Sequence, residues 1–147
     1  MSSVAPPLLS LRGVTHDFGH GVLLDEVDLS VRAGDRICLV GRNGCGKSTL
    51  LGILAGKIVP DRGERWAQAG LRASYIDQEP SVSSGLLVRD VVAQGLRPED
   101  EGMDHLVDAA LDAVGISPEA VTDGMSGGEQ RRVVDPSALL GRPDVLL

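Results

Sequence analysis

An α/β fold built around a parallel sheet is predicted for this 147-residue chain by three observations. The stretch Gly41-Arg42-Asn43-Gly44-Cys45-Gly46-Lys47-Ser48 fits the pattern G-x-x-x-x-G-K-[ST]. The run before it, Ile37-Cys38-Leu39-Val40, is continuously apolar and reads as a strand covered on both faces, as in a parallel core. After it, Leu50, Leu51, Ile53 and Leu54 form one helical stripe. Strand, glycine loop and helix in that order are the context a phosphate-binding loop requires.

Taken in order, the chain is strand-rich in its first third and helix-rich beyond, with no internal repeat and no clear linker, and reads as one domain. Leu9 and Leu11 begin a short strand. Val27, Leu29 and Val31 alternate with Asp28, Ser30 and Arg32, the period of a half-buried strand, and Ala33-Gly34-Asp35 then turns the chain. After the helix, Gly56 suits a C′ position, and Pro60-Asp61-Arg62-Gly63 forms a turn before an extended stretch through Tyr75 and Ile76. A loop follows at Asp77-Gln78-Glu79-Pro80. Two amphipathic helices are expected next, with faces Val88, Val91, Val92, Leu96 and Leu106, Ala110, Ala113, Val114. Ser117-Pro118-Glu119 looks like an N-cap with proline at the first helical position, so a short third helix is expected. The helical part covers about residues 84–125.

In the glycine loop each residue type has a chemical reason. Glycines 41, 44 and 46 let backbone N–H groups turn inward around a β-phosphate, Lys47 can reach β and γ oxygens, and the Ser48 hydroxyl suits Mg2+. With Arg42, Asn43, Cys45 and Thr49 they make up the expected nucleotide-binding stretch 41–49.

Composition limits the partners. A net charge of -7 argues against an intrinsic grip on nucleic acid, and Phe18, Trp66 and Tyr75 are the only aromatics for base stacking. Cys38 and Cys45 have neither disulfide nor zinc spacing, which suits a reducing cytosol. His16, His20 and His105 show no ligand spacing and are expected at the surface. No apolar run is long enough to span a bilayer and no basic leader opens the chain, so a cytoplasmic location without membrane insertion is expected.

The second motif is Ser126-Gly127-Gly128-Glu129-Gln130. By itself it reads as a capping box, Ser126 with Glu129 three residues on. A phosphate loop, a glutamine after a strand, and S-G-G-E-Q in that order resemble the nucleotide-binding domain of the ABC ATPase superfamily, and these motifs cover most of the chain. The resemblance implies a P-loop fold with an N-terminal antiparallel part, parallel core strands and a helical subdomain, binding ATP and Mg2+. It also implies that Ser126, Gly127, Gly128, Glu129 and Gln130 form a signature facing ATP on a partner domain, although Met125 stands where the family usually has leucine. By the same resemblance Gln78 ligates Mg2+ and helps place the attacking water, Ser48 is the other metal ligand, and Phe18 stacks on adenine. Read without the family, Phe18 is a core residue and Gln78 a solvated loop residue.

Within the superfamily, Cys38-Leu39-Val40-Gly41-Arg42-Asn43-Gly44, Tyr75-Ile76-Asp77-Gln78-Glu79-Pro80 and Gly128-Glu129-Gln130-Arg131-Arg132-Val133 most resemble the soluble ABC-F class. That class carries two such domains in one chain and includes ribosome-associated translation factors. The short interval from Gln78 to Ser126 matches its short-armed members. Transporter ATPases use many of the same residues, and remain an alternative.

Two departures from the family pattern matter. The family's Walker B aspartate, catalytic glutamate and switch histidine find no match in these residues; Val145-Leu146-Leu147 looks like the start of the strand that carries the acids, so by the resemblance the two acids would lie just beyond it. The core sheet is accordingly expected to be incomplete at the C-terminal side, with hydrolysis reduced by orders of magnitude in a truncated fragment, a third reading. At Val134-Asp135-Pro136-Ser137, proline costs a helix about 3 kcal/mol or more, so a break near Asp135 is expected unless the copy is damaged.

Overall fold

The computed structural model describes residues 6–17, 19, 21–79 and 82–147. Phe18 and His20 lie outside the described residues. The chain divides into two compact units, one running to Tyr75 and including Leu147, the other spanning Ile76–Leu146.

The first unit is organised by a three-stranded antiparallel sheet of β1 (Leu9–Asp17), β2 (Val22–Val31) and β3 (Arg62–Ala67), in the order β2-β1-β3. Leu9 pairs with Val31 on one side and Ala67 on the other, and Leu11 lies opposite Leu29 and Arg65. The expected alternation of β2 is present, with Val27, Leu29 and Val31 half-buried and Asp28 and Ser30 exposed. One edge irregularity has a visible cause: the Asp28 carboxylate accepts from Gly13 N at 2.7 Å where the β1–β2 register shifts.

Helix α1 (Lys47–Leu54) packs on β1 and buries Leu50, Ile53 and Leu54, spaced i, i+3, i+4. They join Leu9, Leu11, Val14 and Leu24 in the core. The end of α1 is closed as expected. Gly56 N donates to Ile53 O and Lys57 N to Gly52 O, both at 2.9 Å, the paired bonds of a Schellman motif. Arg65 on β3 donates from Nε to Leu54 O at 2.8 Å, so a cation from the sheet faces the negative end of a helix whose own last turn has no basic residue.

Several expectations are corrected here. Ile37–Val40 is not a buried strand: the segment is irregular, with Ile37 48% and Val40 90% exposed. A strand exists only through its neighbours, and no pairing reaches these residues among the described ones. The core sheet is incomplete, and the pairings inside the first unit are antiparallel. The extended stretch after Gly63 is interrupted, since Leu71 N donates to Gln68 O in a turn that separates β3 from the short β4 (Ala73–Ser74). His16 is buried rather than on the surface, its Nδ1 3.2 Å from Asp61 Oδ2, because Asp61 is itself fixed at the sheet end by Asp17 N at 2.8 Å.

The second unit is helical: α2 (Val88–Ala93), a 3-10 turn at Pro98–Asp100, α3 (Asp104–Val114) and α4 (Gly127–Leu140), followed by the short β5 (Val145–Leu146). Its core is Val88, Val92, Val107, Leu111 and Val133. On α3 the buried pair is Val107 and Leu111, while Ala113 is exposed, so the inward face is rotated from the expected one toward the bulkier side chains. The third helix at Ser117–Glu119 does not form. Carbonyls that would continue it are used elsewhere: Pro118 O accepts from Arg89 N at 3.2 Å and Ala120 O from Val88 N at 2.9 Å, satisfying the first amides of α2.

Helix α4 runs unbroken through Asp135 and Pro136, against the expected break. Tertiary contacts override the local penalty. Pro136 is buried, Ser137 Oγ donates to Val91 O at 3.3 Å, and α4 meets the chain after α2 so closely that a Cβ on Gly95 would lie 1.8 Å from Ser137 O. Asp135 stays at the edge of the packed face with its Oδ2 3.6 Å from Arg131 Nε, and its buried Oδ1 has no hydrogen-bond partner among the described residues.

Candidate nucleotide-binding site

The glycine loop lies in the first unit and opens α1. Gly46 is the N-cap residue, with φ 92°, and no side chain caps the helix start. Gly44 also lies in the left-handed region, at φ +78°. A Cβ on Gly46 would meet Leu24 Cδ2 at 3.0 Å and Leu23 Cγ at 3.1 Å, so both dihedral and space require glycine. Gly41 is constrained as well, since its Cβ would lie 2.6 Å from Cys45 Sγ.

Lys47 turns back over the loop. Its Nζ donates to Gly41 O at 2.9 Å and Arg42 O at 2.8 Å and lies 3.8 Å from Cys45 Sγ. The ammonium is thereby held against the loop that leads into the positive end of α1, an arrangement suited to an anion. Arg42, Asn43, Cys45 and Ser48 are exposed, and Lys47 and Thr49 half-buried. Ser48, in the first turn of α1, presents its hydroxyl at the surface.

Gln78 is an exposed residue in a bend at the start of the second unit. The Ser126–Gln130 motif lies in the same unit, at the start of α4. Its capping box is complete: Glu129 N donates to Ser126 Oγ at 3.4 Å, and Ser126 N donates to Glu129 Oε2 at 2.9 Å. Ser126 Oγ also donates to Glu129 Oε2, at 2.7 Å. These hydrogen bonds, the hydroxyl's first and the backbone's second, hold the Glu129 carboxyl below the usual carboxylate range, with Arg132 adding to them against desolvation. Gln130 Nε2 donates to Met125 O at 3.3 Å. A Cβ on Gly127 or Gly128 would meet nothing within 4 Å, so no packing inside the chain calls for glycine at either position.

Sequence reasoning missed Arg65, which bonds Leu54 O at the C-terminal end of α1, and Thr122, whose hydroxyl bonds Ser83 O and Leu86 N. Neither lies in a recognisable pattern; each matters through a partner far along the chain. Among the described residues no cluster of His, Cys, Asp and Glu suits a metal, and no helix is long and apolar enough to cross a membrane. Cys38 and Cys45 are free and exposed.

This combination of an N-terminal antiparallel sheet, a glycine loop opening a helix and a helical unit with a glycine-rich cap coincides with the match of a family model, described as ABC transporter, to residues 24–147. The chain belongs to the ABC superfamily of ATP-binding domains. This ABC domain is 42% identical over 147 residues to the ATP-binding protein Uup of Caulobacter vibrioides, covering 99% of the chain and 23% of that protein. It is 38% identical over 157 residues to the aliphatic sulfonates import ATP-binding protein SsuB 2 of Burkholderia cenocepacia, covering 99% and 57% respectively. The domain thus spans 23% of one relative and 57% of the other. Among solved structures, the ATP-binding subunit of an ABC transporter superposes with a TM-score of 0.81 at 20% identity, covering 95% of this chain and 64% of that one. The ATP-binding cassette MJ0796, in a dimeric post-hydrolysis state bound to ADP and Pi, gives 0.78 at 20% identity, covering 94% and 72%. At that identity the likeness concerns the fold. The relatives favour transporter ATPases over the narrower ABC-F expectation.

Proposed function

We propose that residues 1–147 form one ABC nucleotide-binding domain that binds MgATP as the ATP-binding part of a transporter, and that its Ser126–Gln130 signature serves ATP held by a second such domain. The observation that carries the reading is the loop geometry: left-handed Gly44 and Gly46 before a helix start with no side-chain cap, with the Lys47 ammonium held 2.8–2.9 Å from loop carbonyls. These residues fit a polyphosphate. Loop amides and Lys47 would hold its oxygens, and the Ser48 hydroxyl would supply an oxygen ligand to Mg2+. Bound ATP contributes the phosphoanhydride bond whose cleavage drives the family's conformational work. The chain's own part is to bind, to neutralise charge and to orient.

For Ser126 to donate to a phosphate, its hydroxyl must leave Glu129 Oε2, so that one bond is exchanged while the two bonds of the capping box are kept. Gly127 and Gly128, which no internal contact explains, allow close approach from outside. Import ATP-binding proteins for sulfonates, sulfate or thiosulfate, zinc and hemin support the transporter setting. A ribosome-associated ABC-F role is the second reading, favoured by the 42% match to Uup.

Titration with a fluorescent ATP analogue and Mg2+ tests the proposal: Lys47→Ala should weaken binding about a hundredfold, the loss of a charge-assisted contact. Equal affinity in the variant would overturn it. Co-purification of the full-length gene product with membrane permease subunits, against co-sedimentation with ribosomes, separates the two settings.

A further inference from the structure

Four residues before the signature cap, Thr122 is 4% exposed and fully engaged in hydrogen bonds. Its Oγ1 donates to Ser83 O at 2.7 Å and accepts from Leu86 N at 3.1 Å. Its own backbone N donates to Leu86 O at 2.9 Å. One side chain and one amide therefore tie this residue to a segment 36–39 positions earlier. Alongside, Leu87 and Val121 form an antiparallel bridge, and Val88 N donates to Ala120 O.

On its other side Thr122 opens the turn that leads into α4. Met125 N faces Thr122 O at 3.5 Å, and Gly124 at the third position has φ +71°, which favours glycine. Ser126 follows immediately as the N-cap. A valine would match the shape of threonine, so the hydroxyl is what distinguishes the residue chemically. Removing it would take its acceptor from the half-buried Leu86 amide and its side-chain donor from the Ser83 carbonyl.

We propose that Thr122 is a positioning residue for the signature: its hydroxyl anchors the turn that delivers Ser126 to the start of α4 against the 83–86 segment, and so sets where Ser126–Gln130 meets a phosphate. The functional consequence rests on the reading of Ser126–Gln130 given above; the positioning itself rests on the hydrogen bonds. Thr122 touches no nucleotide in this scheme and acts through Ser126.

Amide hydrogen exchange on the 147-residue chain, with Thr122→Val and Thr122→Ser compared, tests the anchor. Thr122→Val should raise exchange at Leu86 and Met125 about tenfold, leave the α2 and α3 interior amides of Val92 and Leu111 unchanged, and be reversed in Thr122→Ser. Unchanged exchange at Leu86 and Met125, or an equal rise at Val92 and Leu111, would overturn the proposal, the latter by making Thr122 a general stabiliser. Sedimentation with MgATP supplies the functional readout: self-association should weaken about tenfold in Thr122→Val and recover in Thr122→Ser, with nucleotide affinity unaltered. An equal loss of nucleotide affinity would also count against it. Wild-type chain that binds no nucleotide, or binds it without associating, would refute the underlying functional reading, while the exchange pattern still decides the anchor.

Discussion

Helices α1 and α4 both begin at glycine-rich motifs, yet their first turns are finished in opposite ways. At α1 the N-cap is Gly46, which offers no side chain, and the nearby cation is occupied with loop carbonyls. At α4 the N-cap is Ser126, and a reciprocal box with Glu129 satisfies the helix start from within. The start of α1 has no side-chain cap to displace, whereas the Ser126 hydroxyl at α4 must give up an internal bond before it can donate elsewhere. Glycine also has different reasons at the two places, being forced by φ and crowding at 46 and by nothing internal at 127 and 128.

The same substitution should therefore have opposite signs at the two helices. Gly46→Ala places a Cβ at φ 92° against Leu23 and Leu24, and should cost the first unit about 1–3 kcal/mol in denaturant unfolding, with nucleotide binding lost. Ser126→Ala should cost the second unit about 1 kcal/mol, the usual value of a cap, and leave nucleotide affinity at Lys47 unchanged. Gly128→Ala should stabilise α4 by about 0.5 kcal/mol while weakening MgATP-dependent association, because helix propensity improves as external access is lost. A destabilised Gly128→Ala protein would mean that the glycine has an internal role.

The smallest effect is a pH dependence confined to α4. The Glu129 carboxyl is depressed by the Ser126 hydrogen bonds, so its contribution is complete above the ordinary glutamate value of about 4.3 and is lost as pH falls through the lower folded value. Acid unfolding followed at α4 should flatten in Glu129→Gln. An unaltered acid profile would show that the box contributes little.

The same contrast explains what could be read from the sequence. Gly41–Ser48 and Ser126–Glu129 were legible because their conformations are decided within a few residues, by a dihedral or by a cap. Ile37–Val40 was not, because strand formation depends on neighbours remote in the chain and its apolar pattern is silent about their presence. Pro136 misled for a related reason: helix propensity is local, whereas its burial beside Val133 and the anchoring of Ser137 to Val91 are not. On α3, counting apolar positions gave weight to Ala113 that its small side chain could not justify against Leu111. Ser117-Pro118-Glu119 carried a sound helix-start signal, overridden because α2 needed acceptors more than a third helix needed residues.

The near contact of Gly95 with the backbone at Ser137 has a consequence for mutational tolerance. In a saturation scan, position 95 should behave as an all-or-none site, with alanine scoring almost as poorly as tryptophan. Side-chain size ceases to matter once the first carbon has nowhere to go.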